Sequence, residues 1–318
     1  MIRAMLPTDA LALGMSLSRN GREPLTAPTW PRTPPESERP NVFSLLRHAL
    51  IPTPGARRVG VSTSGGQVLG YVVLRPRAAG MVWDVAHLTA TSPEDAVELI
   101  RWARERVLST GGRRMMIDTL DVGPGPTVAR QAGFEKYAEG VTCGLERGFS
   151  RSAVDVLPAR PRLRADEVGL FQLYSAAVPA SVRAAEAMTQ EEWAALFPGR
   201  KVWAPAILGN SQDYVWEMGS RIIGWTRITY GARSQALELQ VHPSYETYAD
   251  RIVRYALTQM SVKVPVLSDV REYQGAVRAA LERAGFRPGQ RFEAWCLALA
   301  ARIPEPSMAA LQAPVSPG

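Results

Sequence analysis

An internal repeat constrains the fold of this chain more than any other feature of its sequence. Residues 65–74 and 218–228 share one pattern, in which a polar turn is followed by two apolar residues, a glycine, an aromatic residue and further apolar residues. The two central glycines, Gly70 and Gly224, lie 154 residues apart in a chain of 318 residues. Because each copy is long enough to bury its own core, the pattern predicts a duplicated domain.

Two further landmarks recur in the same order and at nearly the same distance. Ala132-Gly133-Phe134 recurs as Ala284-Gly285-Phe286, 152 residues later, and Cys143 recurs as Cys296, 153 residues later. Three landmarks with nearly one offset are hard to obtain by chance, so we infer that the chain is a tandem duplication.

The repeat divides the chain into two predicted domains, residues 1–149 and 150–303. Residues 24–40 are rich in proline and predict a long loop in the first domain. The last segment, residues 304–318, holds four prolines and no apolar periodicity. We expect this tail to be disordered.

Both copies have the same predicted order of elements, which is three antiparallel strands, a helix, a strand, a second helix and a last strand. Ser92 followed by Pro93 and two acidic residues predicts the start of the first helix. The order predicts an α+β fold with two mostly antiparallel twisted sheets flanked by helices. The predicted strands are 57–63, 67–75, 81–86, 115–117 and 137–145 in the first copy, and 214–217, 222–230, 236–241, 264–267 and 292–300 in the second. The main helices of the second copy are predicted over 245–261 and 273–284.

Composition excludes several classes of protein. The apolar fraction of 46% and the charged fraction of 21% are those of a globular protein, and no stretch approaches about 18 consecutive apolar residues. The N-terminus lacks the apolar run of a signal peptide, so we expect a soluble cytoplasmic protein. Two cysteines without a Cys-x-x-Cys pair and three separated histidines predict neither a disulfide framework nor a metal site.

The net charge of +7 does not indicate a nucleic-acid or membrane partner. Its basic residues are scattered, without a basic run or interleaved aromatic residues. All but Lys136, Lys201 and Lys263 are arginines, a bias that a GC-rich genome explains. We therefore expect no partnership with nucleic acid or with a membrane.

Four motifs in order resemble those of the GNAT N-acetyltransferase superfamily, over residues 1–148 and 162–301. The resemblance implies two tandem GNAT-like domains. The fourth strand of the family commonly ends in Val-x-Pro, as Val241-His242-Pro243 does here. The motifs are Ile2-Arg3 with Asp9, Gly70-Tyr71 with Gly224-Trp225, Leu239-Gln240-Val241-His242-Pro243, and residues 274–286 with their terminal Gly-Phe.

In this family, acetyl-CoA or another acyl-CoA lies between the splayed fourth and fifth strands, and its pyrophosphate lies at a helix N-terminus. The resemblance implies a small-molecule or peptide amine as acceptor and no metal. Fusion of two copies replaces the dimer that single-copy relatives often form, so we expect a monomer or a weak dimer. The cofactor-binding residues implied in the second copy are Gln240, Val241, Tyr245, Glu246, Thr247, Tyr248, Ala249 and Gln274.

The chain departs from the family pattern at two places. The glycine-rich pyrophosphate loop is missing, since either alignment of the second copy lacks its first glycine. In the first copy, Pro93 has no amide hydrogen, and Glu94 and Asp95 would repel a diphosphate. The tyrosine that often serves as the family's acid is replaced by Ala129 and Leu281. We therefore expect the second copy to hold the acyl-CoA site and the first copy to be degenerate.

The catalytic candidates are a carboxylate, a histidine and several tyrosines. Glu238 alternates with apolar neighbours on its strand and matches the place of the family's general base; a solvated strand residue is the alternative. Asp84 is its counterpart in the first copy. His242, at the exit of the same strand, is a candidate proton relay or an ordinary loop residue. Tyr245, Tyr248 and Tyr273 are the candidates for the missing acid.

A predicted helix that begins with a capping box at Thr189 carries Trp193 and precedes Phe197. In this fold that region covers the acceptor site. With Trp225, these two residues are the candidates for a substrate pocket, and core packing is the alternative.

Three functions remain open at this level. The first is an acyl-CoA-dependent N-acyltransferase with its activity in the second copy. The second is a non-catalytic binding or regulatory protein that has lost the use of the cofactor. The third is aminoacyl transfer from tRNA, which some tandem relatives perform. The first requires that the gap between the two strands is not closed by continuous backbone pairing or plugged by side chains.

Overall fold

The computed structural model of this chain contains one sheet of twelve strands that runs through both halves. The described residues are 1–6, 8–9, 24–27, 58–65, 67–77, 80–151, 159–186, 189–196 and 210–299. The strands are β1 (Ile2–Ala4), β2 (Arg58–Ser64), β3 (Gln67–Arg77), β4 (Val82–Ala90), β5 (Arg114–Leu120), β6 (Glu135–Leu145), β7 (Ala159–Pro161), β8 (Asn210–Met218), β9 (Arg221–Tyr230), β10 (Gln235–Val241), β11 (Val266–Arg271) and β12 (Arg287–Ala298). Their order across the sheet is β1-β2-β3-β4-β5-β12-β6-β11-β10-β9-β8-β7.

Helices cover both faces of this sheet. The α-helices are α1 (Pro93–Leu108), α2 (Gly125–Gln131), α3 (Glu167–Ala177), α4 (Ala180–Glu186), α5 (Gln190–Leu196), α6 (Ala249–Thr258) and α7 (Gly275–Arg283). Ser92 caps α1 as predicted, because its side chain accepts a hydrogen bond from the Asp95 amide. Two short 3₁₀ helices span Arg164–Asp166 and Pro243–Tyr248.

The helix predicted over 245–261 begins later than its apolar pattern suggests. Tyr245 has φ −129° and ψ 23°, which interrupts the helical backbone after Pro243. The chain therefore makes a 3₁₀ turn first, and α6 starts at Ala249. The predicted order of elements is otherwise confirmed in both halves, and each half has the predicted hairpin with a glycine of positive φ in its turn, Gly65 or Gly219.

The last strand of each half lies beside the other half's strands. β12, from the second half, pairs with β5 of the first half, with Trp295 opposite Ile117. β6, from the first half, pairs with β11 of the second half, with Val141 opposite Val270. β6 and β12 also pair with each other. This exchange joins the two predicted sheets into one, and the proposed boundary at 149/150 therefore divides the chain but not the sheet.

The repeat extends to an ion pair at the start of each half. Arg3 donates to Asp9, with its Nη2 at 2.9 Å from Oδ1, and Arg160 donates to Asp166, with its Nη1 at 2.7 Å from Oδ2. Each aspartate also accepts a hydrogen bond from a backbone amide three residues earlier. The motif Ile2-Arg3 with Asp9 therefore has a counterpart in the second half.

Two helical layers pack against the second half of the sheet. Leu237, Leu239 and Val241 of β10 belong to the core beneath α6 and α7. Trp225 of β9 belongs to the core beneath α3, α4 and α5 on the opposite face. Since side chains alternate along a strand, Glu238 and Gln240 lie on the α3–α5 face.

No helix in the described ranges combines the length and the apolar character needed to cross a bilayer. The same part of the chain holds no group of three or more histidine, cysteine, aspartate or glutamate residues that could bind a metal ion. The predicted tail, residues 304–318, lies outside the described residues.

Candidate functional site

The second half has a gap between its fourth and fifth strands. β10 and β11 pair in parallel only at Gln235–Val266 and Ala236–Leu267, although both strands continue further. The Gln235 amide donates to the Pro265 carbonyl at 2.9 Å, so every second residue of β10 faces the gap. The backbone groups of Leu239 and Val241 therefore point into the gap beyond the last backbone pair. Those of Gln240 point towards β9, where Gln240 is opposite Trp225.

Two side chains bridge this gap. The Ser268 hydroxyl donates to the Leu237 carbonyl at 2.8 Å. The Gln274 side-chain amide donates to the Leu239 carbonyl at 2.9 Å and accepts from the Arg271 amide at 2.9 Å. Gln274 thus lies at the gap, where the family resemblance places it. In this structure it holds the end of β11 at a fixed distance from β10.

In the first half, the equivalent gap is filled by the chain itself. β4 and β5 pair from Val82–Arg114 to Asp84–Met116 and then diverge. The segment 24–27 lies between the diverging strands, where the Leu25 amide donates to the Leu88 carbonyl of β4 and the Ala27 amide donates to the Asp118 carbonyl of β5, both at 2.8 Å. We call this segment the plug.

The plug is tightly packed, as two observations show. Thr26 and Ala27 are each 4% exposed. A Cβ atom on Gly125, the first residue of α2, would lie 2.8 Å from the Leu25 carbonyl oxygen. A glycine at this position therefore leaves the room that the plug occupies. The first residue of the corresponding helix in the second half is also a glycine, Gly275, and a Cβ atom there would meet nothing within 4 Å.

The start of α6 follows the open gap directly. Glu246 and Thr247 are exposed, and the amides in this turn are not capped by a side chain at Tyr248. Tyr245 and Tyr248 are half-buried against the core, with their ring centroids 6.3 Å apart. Ala249 is buried. The Tyr245 amide donates to the His242 carbonyl at 2.8 Å and the Ala249 amide donates to the Glu246 carbonyl, so the amides between them are the ones that could meet an anion, and Glu246 places a negative charge beside them.

Glu238 lies in a ladder of charges that crosses three strands. It is opposite Arg227 of β9, which is opposite Asp213 of β8. Arg227 binds both carboxylate oxygens of Asp213, at 2.7 and 2.8 Å. Burial lowers the pKa of Arg227, but Asp213 and Glu238 together raise it above its usual value. The guanidinium is therefore charged, and it stabilises a negative charge on Glu238.

Asp84, the counterpart of Glu238, lies in a comparable setting. It is completely buried and forms ion pairs with Arg75, at 3.2 Å, and with Arg77. Arg75 is opposite Asp84 in the ladder, as Arg227 is opposite Glu238. The carboxylate of the fourth strand and the arginine of the third strand thus recur in both halves.

His242 lies at the exit of β10, as predicted. Its Nδ1 atom accepts a hydrogen bond from the Ser244 amide at 3.2 Å, and its ring meets Tyr245 edge to face at 5.5 Å. Burial and the nearby Arg221 lower the pKa of His242 below its usual value. The imidazole is therefore neutral at physiological pH and carries its proton on Nε2.

Tyr273, a candidate for the missing acid, lies near the carboxylate of Glu186. Burial and the neighbouring Glu186 raise the pKa of Tyr273. Tyr137 donates to Glu186 at 2.8 Å, and an Arg271 nitrogen lies 3.4 Å from the same oxygen. The structure thus places Tyr273 among several polar side chains on the α3–α5 side of the sheet. We call this set of side chains the Glu186 cluster. Its members are Tyr137, Tyr174, Arg183, Glu186, Arg271 and Tyr273.

The aromatic pocket candidates have different positions. Trp193 is 2% exposed and packs against Phe171 and Tyr174, with ring centroids 6.3 and 6.5 Å away. Trp225 is 3% exposed and lies under the Arg227 guanidinium, 5.4 Å from its ring centroid. Both tryptophans belong to the core beneath α3–α5. Phe197 lies outside the described residues.

Sequence reasoning missed the Glu186 cluster and the plug. Arg183 and Glu186 are three residues apart on α4, a spacing that places two side chains on one helical face. This spacing was the available signal, but nothing local connects α4 with the tyrosines of β6 and α3. The plug carries no signal of its own, because a proline-rich segment reads as a loop.

Three solved structures share this architecture over most of their length. A GCN5-related N-acetyltransferase from Sphaerobacter thermophilus is 14% identical, with a TM-score of 0.57 over 94% of this chain and 95% of that chain. A tandem GNAT protein from the clavulanic acid biosynthesis pathway is 16% identical, with a TM-score of 0.55 over 94% of this chain and 98% of that chain.

The N-myristoyltransferase of Saccharomyces cerevisiae, solved with bound myristoyl-CoA, is 10% identical, with a TM-score of 0.51 over 79% of this chain and 73% of that chain. No protein-family model matches the chain, and no curated protein matches its sequence. At these identities the likeness concerns the fold alone. The chain has a GNAT-like fold in a tandem arrangement.

Proposed function

With the tandem GNAT fold as the premise, we propose that this protein is an acyl-CoA-dependent N-acyltransferase whose acyl-CoA binds between β10 and β11. The observation that carries the proposal is the open gap, into which the backbone groups of Leu239 and Val241 point beyond the last pair of the ladder. An extended pantetheine arm carries amide groups that can pair with such a strand edge. The two amides of β10 are its natural donors.

The start of α6 is the proposed site for the diphosphate. The proposed donors are the backbone amides of residues 246–248, since those of Tyr245 and Ala249 already donate to the carbonyls of His242 and Glu246. Glu246 opposes binding there, but its side chain is exposed and free to rotate away. Arg251, whose guanidinium lies 5.9 Å from the Tyr248 ring centroid, adds a positive charge to the same turn. We therefore expect weaker binding than a glycine-rich loop would provide.

Acyl-CoA supplies a thioester whose acyl carbon a neutral amine attacks, with release of the CoA thiol. Glu238 takes the proton from the acceptor ammonium group, and Arg227 stabilises its negative charge before that transfer. Glu238 then releases this proton to solvent, since His242 has no nitrogen available for it: Nδ1 accepts from the Ser244 amide and Nε2 holds the ring proton. Tyr273 is protonated because burial raises its pKa; it gives its proton to the departing sulfur and regains one from the nitrogen that has attacked the thioester, which leaves a neutral amide.

The first half has a structural role in this proposal. Its gap is filled by the plug, and the N-terminus of α1 is capped by Ser92 and begins with Pro93, which has no amide hydrogen. It also supplies β6, which pairs with β11 and places Tyr137 beside Glu186. One chain should therefore bind one acyl-CoA.

Calorimetric titration with acetyl-CoA tests this proposal directly. We expect saturable binding with a stoichiometry of one per chain, and CoA alone should compete. Binding of two molecules would contradict the assignment to the second half. No heat and no thermal stabilisation at millimolar acetyl-CoA would contradict use of the cofactor.

The alternative is a GNAT-fold binding protein without catalysis. It is favoured by the absence of the glycine loop and by the Leu237 and Leu239 carbonyls, which already accept hydrogen bonds from Ser268 and Gln274. The same titration separates the two functions, since this alternative predicts no acetyl-CoA binding.

A further inference from the structure

The Glu186 cluster lies next to the proposed acyl-CoA gap, and its members other than Tyr273 have no role in the proposed acyl transfer. Tyr273 directly precedes Gln274, whose side chain reaches the Leu239 carbonyl inside the gap. Tyr174, on α3, is 1% exposed. Tyr137 comes from the exchanged strand β6, so both halves of the chain build the cluster.

The cluster holds more hydrogen-bond donors than acceptors. Glu186 is its one carboxylate, and one of its oxygens already accepts from Tyr137 and Arg271. The Tyr174 hydroxyl and the Arg183 Nε atom are buried, and neither has a hydrogen-bond partner among the described residues. Buried donors without acceptors are unfavourable.

The charges of the cluster also favour an anion. The cluster holds two guanidinium groups, of Arg183 and Arg271, and a single carboxylate, that of Glu186; Arg271 contacts Glu186, and Arg183 acts on Tyr174. Arg271 is held between two rings, with its guanidinium carbon 6.0 Å from the Tyr137 centroid and 4.9 Å from the Phe292 centroid. Burial and Glu186 raise the pKa of Tyr174, so its hydroxyl stays protonated and can donate.

We propose that the acceptor amine carries a carboxylate, as an amino acid or another amino-carboxylate does, and that this carboxylate binds to Tyr174 and Arg183. This inference rests on the proposed function. A carboxylate accepts hydrogen bonds from hydroxyl and guanidinium donors together and supplies the charge that the cluster lacks. Glu186 keeps its own role, which is to position Tyr137 and Arg271.

The test compares amine pairs that differ only in the carboxylate. Binding of lysine and cadaverine, ornithine and putrescine, and phenylalanine and phenethylamine is measured by titration of the full chain in the presence of CoA. We expect the amino acid to bind at least tenfold more tightly than its decarboxylated partner in one or more pairs. Equal affinities in all pairs, or no binding of any amino acid, would overturn the proposal.

Two variants and one control test whether the preference for amines that carry a carboxylate depends on the Glu186 cluster. Arg183→Met and Tyr174→Phe remove the unpartnered groups and keep most of the side-chain volume, so folding should be retained, which thermal unfolding checks. Each should weaken binding of the amino acid about tenfold and leave binding of the decarboxylated amine unchanged. Arg104→Met, at an exposed position of α1, should change neither affinity. A carboxylate preference that survives both cluster variants would refute the site.

The opposite preference has a distinct signature. If decarboxylated amines bind more tightly and Glu186→Gln weakens them, Glu186 binds the ammonium group and the carboxylate proposal is wrong. Titration of acetyl-CoA with the unaltered chain separates this failure from failure of the proposed function. Binding of acetyl-CoA without any carboxylate preference refutes this inference alone, whereas no binding of acetyl-CoA refutes the proposed function.

Discussion

The two gaps of this sheet have the same origin and different contents. In each half, parallel pairing between the fourth and fifth strands stops after two or three residue pairs. The first gap holds the plug, whose amides reach both strands, whereas the second gap is braced by Ser268 and Gln274 and leaves backbone groups of β10 beyond the ladder. A four-residue segment therefore fills one of two otherwise similar gaps of a duplicated fold.

The helix starts that follow the two gaps differ less than the gaps do. Ser92 caps α1, and Pro93 removes an amide from its first turn. The turn before α6 likewise begins with a capping side chain, His242, followed by Pro243, and the Ala249 amide donates to the Glu246 carbonyl. The contents of the gaps, rather than the helix starts, therefore favour the second half as the binding half.

The largest effect is expected when each of the two equivalent carboxylates, Glu238 in the second half and Asp84 in the first, is replaced by its amide. Glu238→Gln should lower the acyl-transfer rate about 100-fold, because a general base commonly contributes at least this factor. Asp84→Asn should leave the rate unchanged but lower the free energy of unfolding by about 3 kcal/mol, since it breaks a buried ion pair. Steady-state rates and urea unfolding of both variants check this. Equal rate losses in the two variants would remove the distinction between the halves.

The second-largest effect is expected on the stability of the plug when Gly125, which leaves space for it, is given a side chain. Gly125→Val would place a side chain against the Leu25 carbonyl, and overpacking of this kind costs about 2 kcal/mol. Amide exchange at Leu25 and Ala27 should become about 30-fold faster. Gly275→Val, at the start of the corresponding helix, meets open space and should leave exchange at both positions unaltered. Hydrogen-exchange mass spectrometry distinguishes the two outcomes, and slow exchange in the Gly125 variant would show that the plug does not need this glycine.

A smaller effect, on the affinity for acetyl-CoA, is expected when one backbone N–H donor is removed from a strand beside each gap. Val241→Pro removes a donor that points into the open gap, which should weaken acetyl-CoA binding about tenfold, as expected for one hydrogen bond. Ala90→Pro makes the equivalent change at the end of β4 and should leave the affinity unchanged. Calorimetry measures both values once thermal unfolding has shown that each variant is folded. A loss of affinity in the Ala90 variant alone would place the ligand in the first half.

A charge at the start of each helix should have a weaker effect still. Thr247→Glu adds a negative charge beside the proposed diphosphate site, so the dissociation constant for acetyl-CoA should rise about threefold at low salt. Thr91→Glu places the same charge before α1 and should have no effect. An unaltered affinity in the Thr247 variant would mean that the diphosphate lies elsewhere.

The smallest expected effect concerns acid stability. Hydrogen bonds from Arg160 lower the pKa of Asp166, and those from Arg3 lower the pKa of Asp9. Each aspartate therefore stabilises the fold above its unfolded pKa of about 3.9, and this contribution is lost as pH falls through the lower folded value. Asp166→Asn and Asp9→Asn should both flatten the fall in unfolding free energy between pH 5 and pH 2. Denaturant unfolding across this range measures the slopes, and an unchanged slope would show that the ion pair contributes nothing.

Local patterns predicted much of the fold because each landmark has a local physical cause. Gly133 and Gly285 have φ near +90° where α2 and α7 end, a conformation that glycine adopts readily, so the repeated Ala-Gly-Phe marks a helix end in both halves. Alternation along 236–241 placed Glu238 opposite the apolar face of β10. The periodicity did not reveal the non-helical Tyr245, which delays α6.

The strand exchange could not be predicted from the sequence. β6 and β12 carry matching landmarks in Cys143 and Cys296, so either strand is compatible with either neighbour. The choice depends on the packing of the whole sheet, which no local pattern records. The Glu186 cluster was missed for a related reason, because its members come from β6, α3, α4 and the end of β11.

Hydrogen exchange with and without acetyl-CoA tests the central claim most directly. The account predicts that added acetyl-CoA slows exchange in the peptide that contains Leu239 and Val241, whereas exchange in the peptide that contains Leu88 and Ala90 stays the same. Protection of the β4 peptide, or protection of neither peptide at saturating acetyl-CoA, would contradict it.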